Sequence, residues 1–144
     1  YVDRFDYGNR ELSGNPGKHD GLTQAWLSSS LAISPQEQAR FLGKLVSGKL
    51  PVSAEAIRRT STLLRQPDID GWQIHGKTGM GYPKLLDGSL NRDQQIGWFV
   101  GWASKQDQKL IFVHTVIQKP GKQFASLRAR EEVFAALPEQ LKKL

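Results

Sequence analysis

The spacing of apolar positions changes character near residue 71. Before it, Phe41, Leu42, Leu45 and Val46 recur at helical intervals. Ser34-Pro35-Gln36-Glu37 is a capping box with proline at the first helical position, and Gly48 is a natural stop. This predicts a helix opening at Ser34. A second helix is capped by Ser53, carries Ile57, Leu63 and Leu64, and ends before Pro67. Residues 1–32 read as irregular, with turn chemistry at Gly14-Asn-Pro-Gly17 and His19-Asp-Gly21.

Beyond residue 71 the pattern is that of strands. A short strand is predicted over 72–77, ending in a glycine-broken turn at Met80-Gly-Tyr-Pro83, with a long excursion to about Gln95. Ile96–Ala103 and Leu110–Ile117, joined by a polar turn from Lys105 to Lys109, form an antiparallel hairpin. A last helix starts near Ser126 with Leu127, Val133, Phe134 and Leu137 on one side; Pro138 is placed to kink or interrupt it. Helices, then strands, then a helix point to an α+β domain: an antiparallel sheet flanked by helices, with the terminal helix packed on the sheet. Residues 1–70 form the mainly helical and loop part, and residues 71–144 the sheet and terminal helix.

Composition narrows the function classes. The chain has 144 residues, enough for one domain with a moderate core, and 38% hydrophobic content, too apolar for disorder. Its net charge of +6 is spread along the chain. There is no basic stripe interleaved with stacking aromatics, so nucleic acid is not the expected partner. The positive surface favours encounter with anionic substrates. The absence of cysteine excludes disulfides and thiolate metal sites. The longest apolar run, Leu110 to Ile117, is far shorter than the roughly 20 residues of a spanning helix, so no membrane span is expected. Tyr1-Val-Asp-Arg-Phe-Asp6 reads like the middle of a longer polypeptide.

Three short elements carry candidate chemistry. Lys77-Thr78-Gly79 places a cation, a hydroxyl and a bare backbone in succession at a strand end, where a rigid ligand with a carboxylate can dock. Strand alternation points Lys77 and Gly79 one way and Thr78 the other, and a twisted strand end lets Thr78 turn toward a ligand. On the tripeptide alone, a surface lysine before a turn is the favoured reading. Tyr7-Gly8-Asn9 reads as a turn with a permissive glycine. Trp26-Leu27 offers one indole donor beside an apolar chain, a pair that core packing also accounts for. His19, His75 and His114 lack metal-ligand spacing, and Glu131-Glu132 diverge on their helix, so neither set receives a chemical role.

In order along the chain stand Phe5-Asp-Tyr-Gly-Asn9, Gly21-Leu-Thr-Gln-Ala-Trp-Leu27, Leu31-Ala-Ile-Ser-Pro-Gln-Glu-Gln38, Gly76-Lys-Thr-Gly79 and Gly97-Trp-Phe-Val-Gly-Trp102. This series resembles the C-terminal part of a class D, oxacillinase-type serine β-lactamase, over nearly the whole chain. The resemblance implies the serine β-lactamase/penicillin-binding fold and β-lactam hydrolysis. In that chemistry a serine forms the acyl-enzyme, and a lysine carbamylated by CO2 is general base. Both belong to a Ser-x-x-Lys motif, which this sequence does not contain, and the family's Ser-x-Val motif likewise belongs to an upstream segment.

By resemblance, Lys77 faces the active site and steadies the substrate carboxylate and proton transfers. Thr78 donates its hydroxyl to that carboxylate beside Gly79. The Met80 backbone N–H is the second oxyanion donor. Trp26 gives its indole N–H to the carbamate, and Leu27 limits water access. A carboxylate-binding arginine on the last helix is common in the family; Arg130 is favoured over Arg128, with a solvated arginine paired to glutamate as the equal alternative. No metal or organic cofactor is implied beyond the carbamate.

The partners implied are a β-lactam, the N-terminal fragment of the same enzyme and, less directly, a second copy in a homodimer. Location in the periplasm is expected, with a signal peptide upstream of this chain. Three rival readings remain: a β-lactam sensor domain of a membrane receptor, a penicillin-binding transpeptidase and, most weakly, a basic nucleic-acid module.

Overall fold

The computed structural model describes residues 1–27 and 29–144. Its elements run α1 (Val2–Phe5), α2 (Gly21–Gln24), α3 (Pro35–Val46), α4 (Ala54–Leu63), β1 (Gln73–Gly81), β2 (Gln95–Lys105), β3 (Gln108–Gln118) and α5 (Ala125–Leu141). The α+β reading holds. The three strands form one antiparallel sheet in the order β1-β2-β3.

The predicted caps form. Ser34 Oγ accepts the Glu37 N–H, and the Glu37 carboxylate accepts the Ser34 N–H at 2.8 Å, closing the box at the start of α3. Ser53 Oγ accepts from Ala56 N at 3.1 Å and opens α4. Within the stretch expected to be irregular, α1 and α2 are single turns of four residues each. Leu63 is 85% exposed, so Leu64 and Ile57, not Leu63, give α4 its packing face.

Each sheet face has its own cover. Ile74 on β1, Phe99 and Ala103 on β2 and Val116 on β3 share one face with Ala129, Val133, Leu137 and Leu141 of α5. The last four recur every fourth residue, so the buried stripe of α5 runs through the small Ala125 and Ala129; Leu127, expected inside, is exposed. Pro138 is accommodated within the helix, which continues to Leu141. On the opposite face Trp102, Val100, Ile111 and Val113 pack against Leu42 and Leu45 of α3, and Leu50 and Ile57 extend the cluster.

The strands outrun the sequence estimate. β1 extends through Gly81, with Met80 opposite Gly97 and Gly81 opposite Ile96, so the expected break at Met80 lies further on. The β2–β3 connection is only Gln106-Asp107, with Gln106 at φ 54° in place of the broader polar turn. Residues 83–91 are themselves a small hairpin: Asn91 N donates to Pro83 O at 2.8 Å, Lys84 bridges Leu90, and Leu85 N donates to Ser89 O at 2.8 Å. Among the described residues no helix is long and apolar enough to cross a membrane.

Two glycines contrast in their surroundings. A Cβ at Gly97 would collide with the Ala125 carbonyl, so α5 can seat on β2 only because position 97 has no side chain. A Cβ at Gly79 would meet nothing nearer than Trp98 Cβ at 3.7 Å. Gly97→Ala is therefore expected to lower stability by about 1–3 kcal/mol, whereas Gly79→Ala changes it by no more than about 0.5 kcal/mol. Urea titration of the folded protein checks both values.

Candidate active site

The outer edge of β1 is covered at its start and open at its end. Residues 64–69 run antiparallel beside it: Gln66 N donates to Ile74 O and Gly76 N to Leu64 O, both at 2.8 Å. Gln66 Nε2 adds a bond to Gly76 O at 3.2 Å. This cover stops at Gly76. Because edge-facing backbone groups recur every second residue, Thr78 and Met80 turn their N–H and C=O groups outward beyond the cover. The Lys77 side chain folds onto that edge and donates to the Thr78 carbonyl at 2.8 Å.

Side chains alternate as the sequence suggests. Lys77 and Gly79 pair with Val100 and Trp98 on the α3 face, while Thr78 pairs with Phe99 on the α5 face. Lys77, Gly79 and Met80 are exposed and Thr78 is half-buried.

These residues form one wall of an open cleft of about 680 Å³. Tyr7, Trp26, Ser29 and the 30–33 segment form the facing wall. Trp26 is 56% exposed, and no described residue accepts its indole N–H. Leu27 lies outside this cleft and lines an adjoining hollow of about 240 Å³ with Trp26, Met80, Tyr82, Leu90 and Arg92. No Asp or Glu lines the main cleft, and Lys77 makes no ion pair among the described residues. The cleft is thus cationic and rich in unused donors, a setting suited to an anionic ligand.

Tyr7-Gly8-Asn9 is a clip that holds the facing wall. Asn9 exchanges backbone and side-chain bonds with Ala32: its N–H donates to Ala32 O at 2.9 Å, and its Oδ1 accepts from Ala32 N at 3.0 Å. Asn9 Nδ2 donates to Ser30 O at 2.8 Å. Gly8 has φ 56°, and a Cβ there would strike the Ala32 carbonyl, which accounts for glycine at this position. The Tyr7 hydroxyl donates to Gln38 Oε1 of α3 at 2.8 Å, and burial raises its pKa above the ordinary phenol value.

Arg130 stands apart from these residues. Its guanidinium lies 4.6 Å from the Phe134 ring centroid, and Nε donates to Gln66 Oε1 at 3.1 Å, so it braces the cover over early β1 and does not line the cleft. Arg128 pairs with Glu132 at 2.7 Å, and Glu132 also meets His114 at 2.7 Å; the pairing holds the Glu132 carboxyl below its ordinary range. No three His, Asp or Glu side chains among the described residues converge as a metal site.

Sequence reasoning missed Gln66 and Lys84. Gln66 caps the covered part of the edge. Lys84 Nζ crosses from the β1–β2 loop to donate to Ser29 O at 2.7 Å. Neither sits in a motif, and only the fold brings it to its partner.

Residues 1–139 match the penicillin binding protein transpeptidase domain. The chain belongs to this family, and its sequence and fold match the C-terminal portion of class D β-lactamases. It is 43% identical over 140 residues to beta-lactamase OXA-9 of Klebsiella pneumoniae, covering 96% of this chain and 51% of that protein. With beta-lactamase OXA-1 of Escherichia coli it shares 39% identity over 140 residues, covering 95% of this chain and 49% of the relative. The chain thus spans about half the length of these relatives. The crystal structure of OXA-427 class D β-lactamase superposes with TM-score 0.96 at 92% identity, over 99% of this chain and 59% of that one. The C-terminal domain of the Bacillus licheniformis BlaR penicillin receptor superposes with TM-score 0.75 at 26% identity, over 97% of this chain and 50% of that one.

One histidine beside the site titrates adversely. His75, two residues before Lys77, is 8% exposed and stacks on Trp102 with ring centroids 4.8 Å apart. Its Nδ1 is buried without a partner among the described residues. Burial lowers its pKa below 6.5, Arg65 lowers it further, and Asp68 and the Gln73 backbone oppose them in part. A histidine with a depressed folded pKa binds its proton more readily when unfolded. Its contribution is complete above the unfolded value and is lost as pH falls through the folded one. His75→Phe, which keeps the stack, should therefore shrink the loss of stability between pH 7.5 and pH 5, as read by urea midpoints at the two pH values.

Proposed function

We propose that residues 1–144 form the substrate-facing C-terminal portion of a β-lactam hydrolase of class D type. The nucleophilic serine and the carbamylated lysine base are supplied by a segment outside these residues. The observation that carries this reading is the edge of β1. It is covered up to Gly76, then free, and there it presents the Lys77 ammonium and the outward Thr78 and Met80 backbone to a cleft without carboxylates.

The chemistry then proceeds as acyl transfer. The serine Oγ attacks the β-lactam carbonyl carbon while the carbamate takes the hydroxyl proton. The carbonyl oxygen becomes an oxyanion, and the Met80 N–H on the open edge is one of its donors; such a donor is worth roughly 3 kcal/mol of barrier. The C–N bond of the ring breaks and the nitrogen receives the proton that the carbamate took from the serine, which restores the carbamate as base. Water, deprotonated by the carbamate, next attacks the ester, regenerates the serine and releases the ring-opened acid. Lys77 and the Thr78 hydroxyl hold the substrate carboxylate beside Gly79, where no side chain intrudes. Trp26 donates its free indole N–H to the carbamate, an anion that needs such donors when shielded from water, and Leu27 restricts water at its flank. Arg130 acts through Gln66 on the strand, not on the substrate. The natural setting we assign is the periplasm.

The test joins the N-terminal half of OXA-427 to residues 1–144 and follows a chromogenic cephalosporin. The hybrid is expected to hydrolyse it, and residues 1–144 alone are expected to be inactive. In the hybrid, Lys77→Met should lower kcat/KM by roughly 10- to 100-fold, the loss of one charge-assisted contact. Turnover by residues 1–144 alone, or a hybrid indifferent to Lys77→Met, overturns the assignment. A long-lived adduct without turnover makes the protein a β-lactam binder of receptor type instead.

A further inference from the structure

We infer that Lys84 is a positioning residue that straps the two walls of the cleft together and so sets the placement of Trp26. The strap joins elements distant in sequence. Lys84 lies in the small hairpin that follows β1, and its Nζ donates to the main-chain carbonyl of Ser29 at 2.7 Å, 55 residues away. No other side-chain or loop-backbone hydrogen bond among the described residues ties the Trp26 segment to β1 or to the loop after it.

Both anchor points are braced, so the contact can transmit position. On the strand side, Lys84 bridges Leu90, and the hairpin is closed by Asn91 N to Pro83 O and Leu85 N to Ser89 O, each at 2.8 Å. The tip is tightened by Asp87 Oδ1, which accepts from Ser89 N at 2.9 Å and Ser89 Oγ at 2.7 Å. On the Trp26 side, Ser29 is buried and its hydroxyl donates to Asn15 Oδ1 at 3.2 Å. Leu31 N donates to Ala25 O at 2.9 Å, closing the turn that carries Trp26 and Leu27. Asn9 grips this segment at Ser30 and Ala32 from one side only. Ser30 Oγ accepts from Gly14 N and donates to Glu11 O, and these partners, with Asn9 and Asn15, all lie within residues 9–15. Without Lys84, the stretch that presents Trp26 would keep them but lose its tie to the wall that carries Lys77 and Met80.

The consequence is specific, and it rests on the role proposed above for Trp26. An indole displaced from the carbamate leaves that anion short of a donor. The carbamate then reverts to lysine and CO2, and the loss falls on kcat more than on KM. Lysine suits the strap because its single long stem spans the mouth and its charge strengthens the bond to a neutral carbonyl.

The test uses the hybrid with the OXA-427 N-terminal half, carrying Lys84→Met or Lys84→Arg. Lys84→Met keeps the stem and removes the donors. It should lower kcat roughly tenfold through misplacement of a catalytic group, with KM changed less than twofold. Added bicarbonate should restore most of the rate, and Lys84→Arg should retain it. Amide hydrogen exchange should rise in residues 26–32 and stay unchanged in β2. Unchanged exchange in 26–32 overturns the strap. A rate loss that bicarbonate does not restore overturns its link to Trp26. If the unsubstituted hybrid is inactive, the proposed hydrolysis fails, while the exchange measurement still decides whether Lys84 holds the segment.

Discussion

Strand β2 hydrogen-bonds along both edges and packs on both faces, and the positions of α3, α5, β1 and β3 all follow from that. Its side chains alternate between two different covers. Phe99, wholly buried, anchors the α5 face; Trp102 anchors the α3 face. Its glycines set the distances. Gly97 lets α5 seat against the backbone, and Gly101 lets β1 and Phe112 close in where a Cβ would strike the His75 carbonyl. The β1 register inherits this: with Gly76 opposite Gly101, Lys77 must stand opposite Val100 and face α3, and Thr78 must face α5. The orientation of the Lys-Thr-Gly segment is thus decided several ångströms away, by a strand that takes no part in the proposed chemistry.

The parts of this architecture that were readable in the sequence are those governed by neighbours in the chain. The caps at Ser34 and Ser53 formed because a hydroxyl needs only the amide three residues on. The alternation of β2 and β3 was legible because a two-sided strand writes its period directly. What escaped was decided across the fold. β1 was read as short because Gly81 in Met80-Gly-Tyr-Pro83 looked like a breaker, yet an extended glycine is held in the ladder when the partner strand supplies the register. The stripe of α5 was misread through Leu127 because bulk suggested burial, whereas close approach to Gly97 selects Ala125 and Ala129. The motif residues were legible as a set, but the function of Tyr7-Gly8-Asn9 as a clip was not. Nothing local in that tripeptide names Ser30 and Ala32 as its partners.

The cleft shows how two weakly structured stretches can face each other with definite geometry. Residues 25–27 and 29–33 contain little regular structure, and the loop 82–94 only one small hairpin. Their order comes from side chains bonding to main chain: Asn9 to Ser30 and Ala32, Ser30 to Gly14 and Glu11, Lys84 to Ser29. Such bonds fix position without filling the space between the walls. A well-packed core would fix it equally well but would leave no room for a ligand.

Most residues here are accounted for by packing, capping or turn geometry, and four departures fall in one place. Gly97, Gly101, Gly76 and Gly8 each stand where a Cβ would collide, but a Cβ at Gly79 would make only an ordinary contact with Trp98 Cβ at 3.7 Å. Buried Phe99 and Trp102 stack on aromatic rings, but Trp26 projects outward with its indole N–H unpaired among the described residues. Glu55, Asp68, Glu132 and Glu139 hold nearby cations, but Lys77 turns to a carbonyl on its own strand. β1 is paired along its edge until Gly76, and beyond it meets only the Lys77 ammonium among the described residues. A locally consistent sequence keeps such departures only where something other than stability is served. Here all four line or border the same cleft, which is why the proposed reading places the substrate at Lys77 and the strand edge, and the carbamate at Trp26. Their chemistry, a cation, outward amides and an indole donor among lining residues that include no Asp or Glu, suits anionic groups: on the proposed reading, the substrate carboxylate and oxyanion at the strand edge and the carbamate at Trp26.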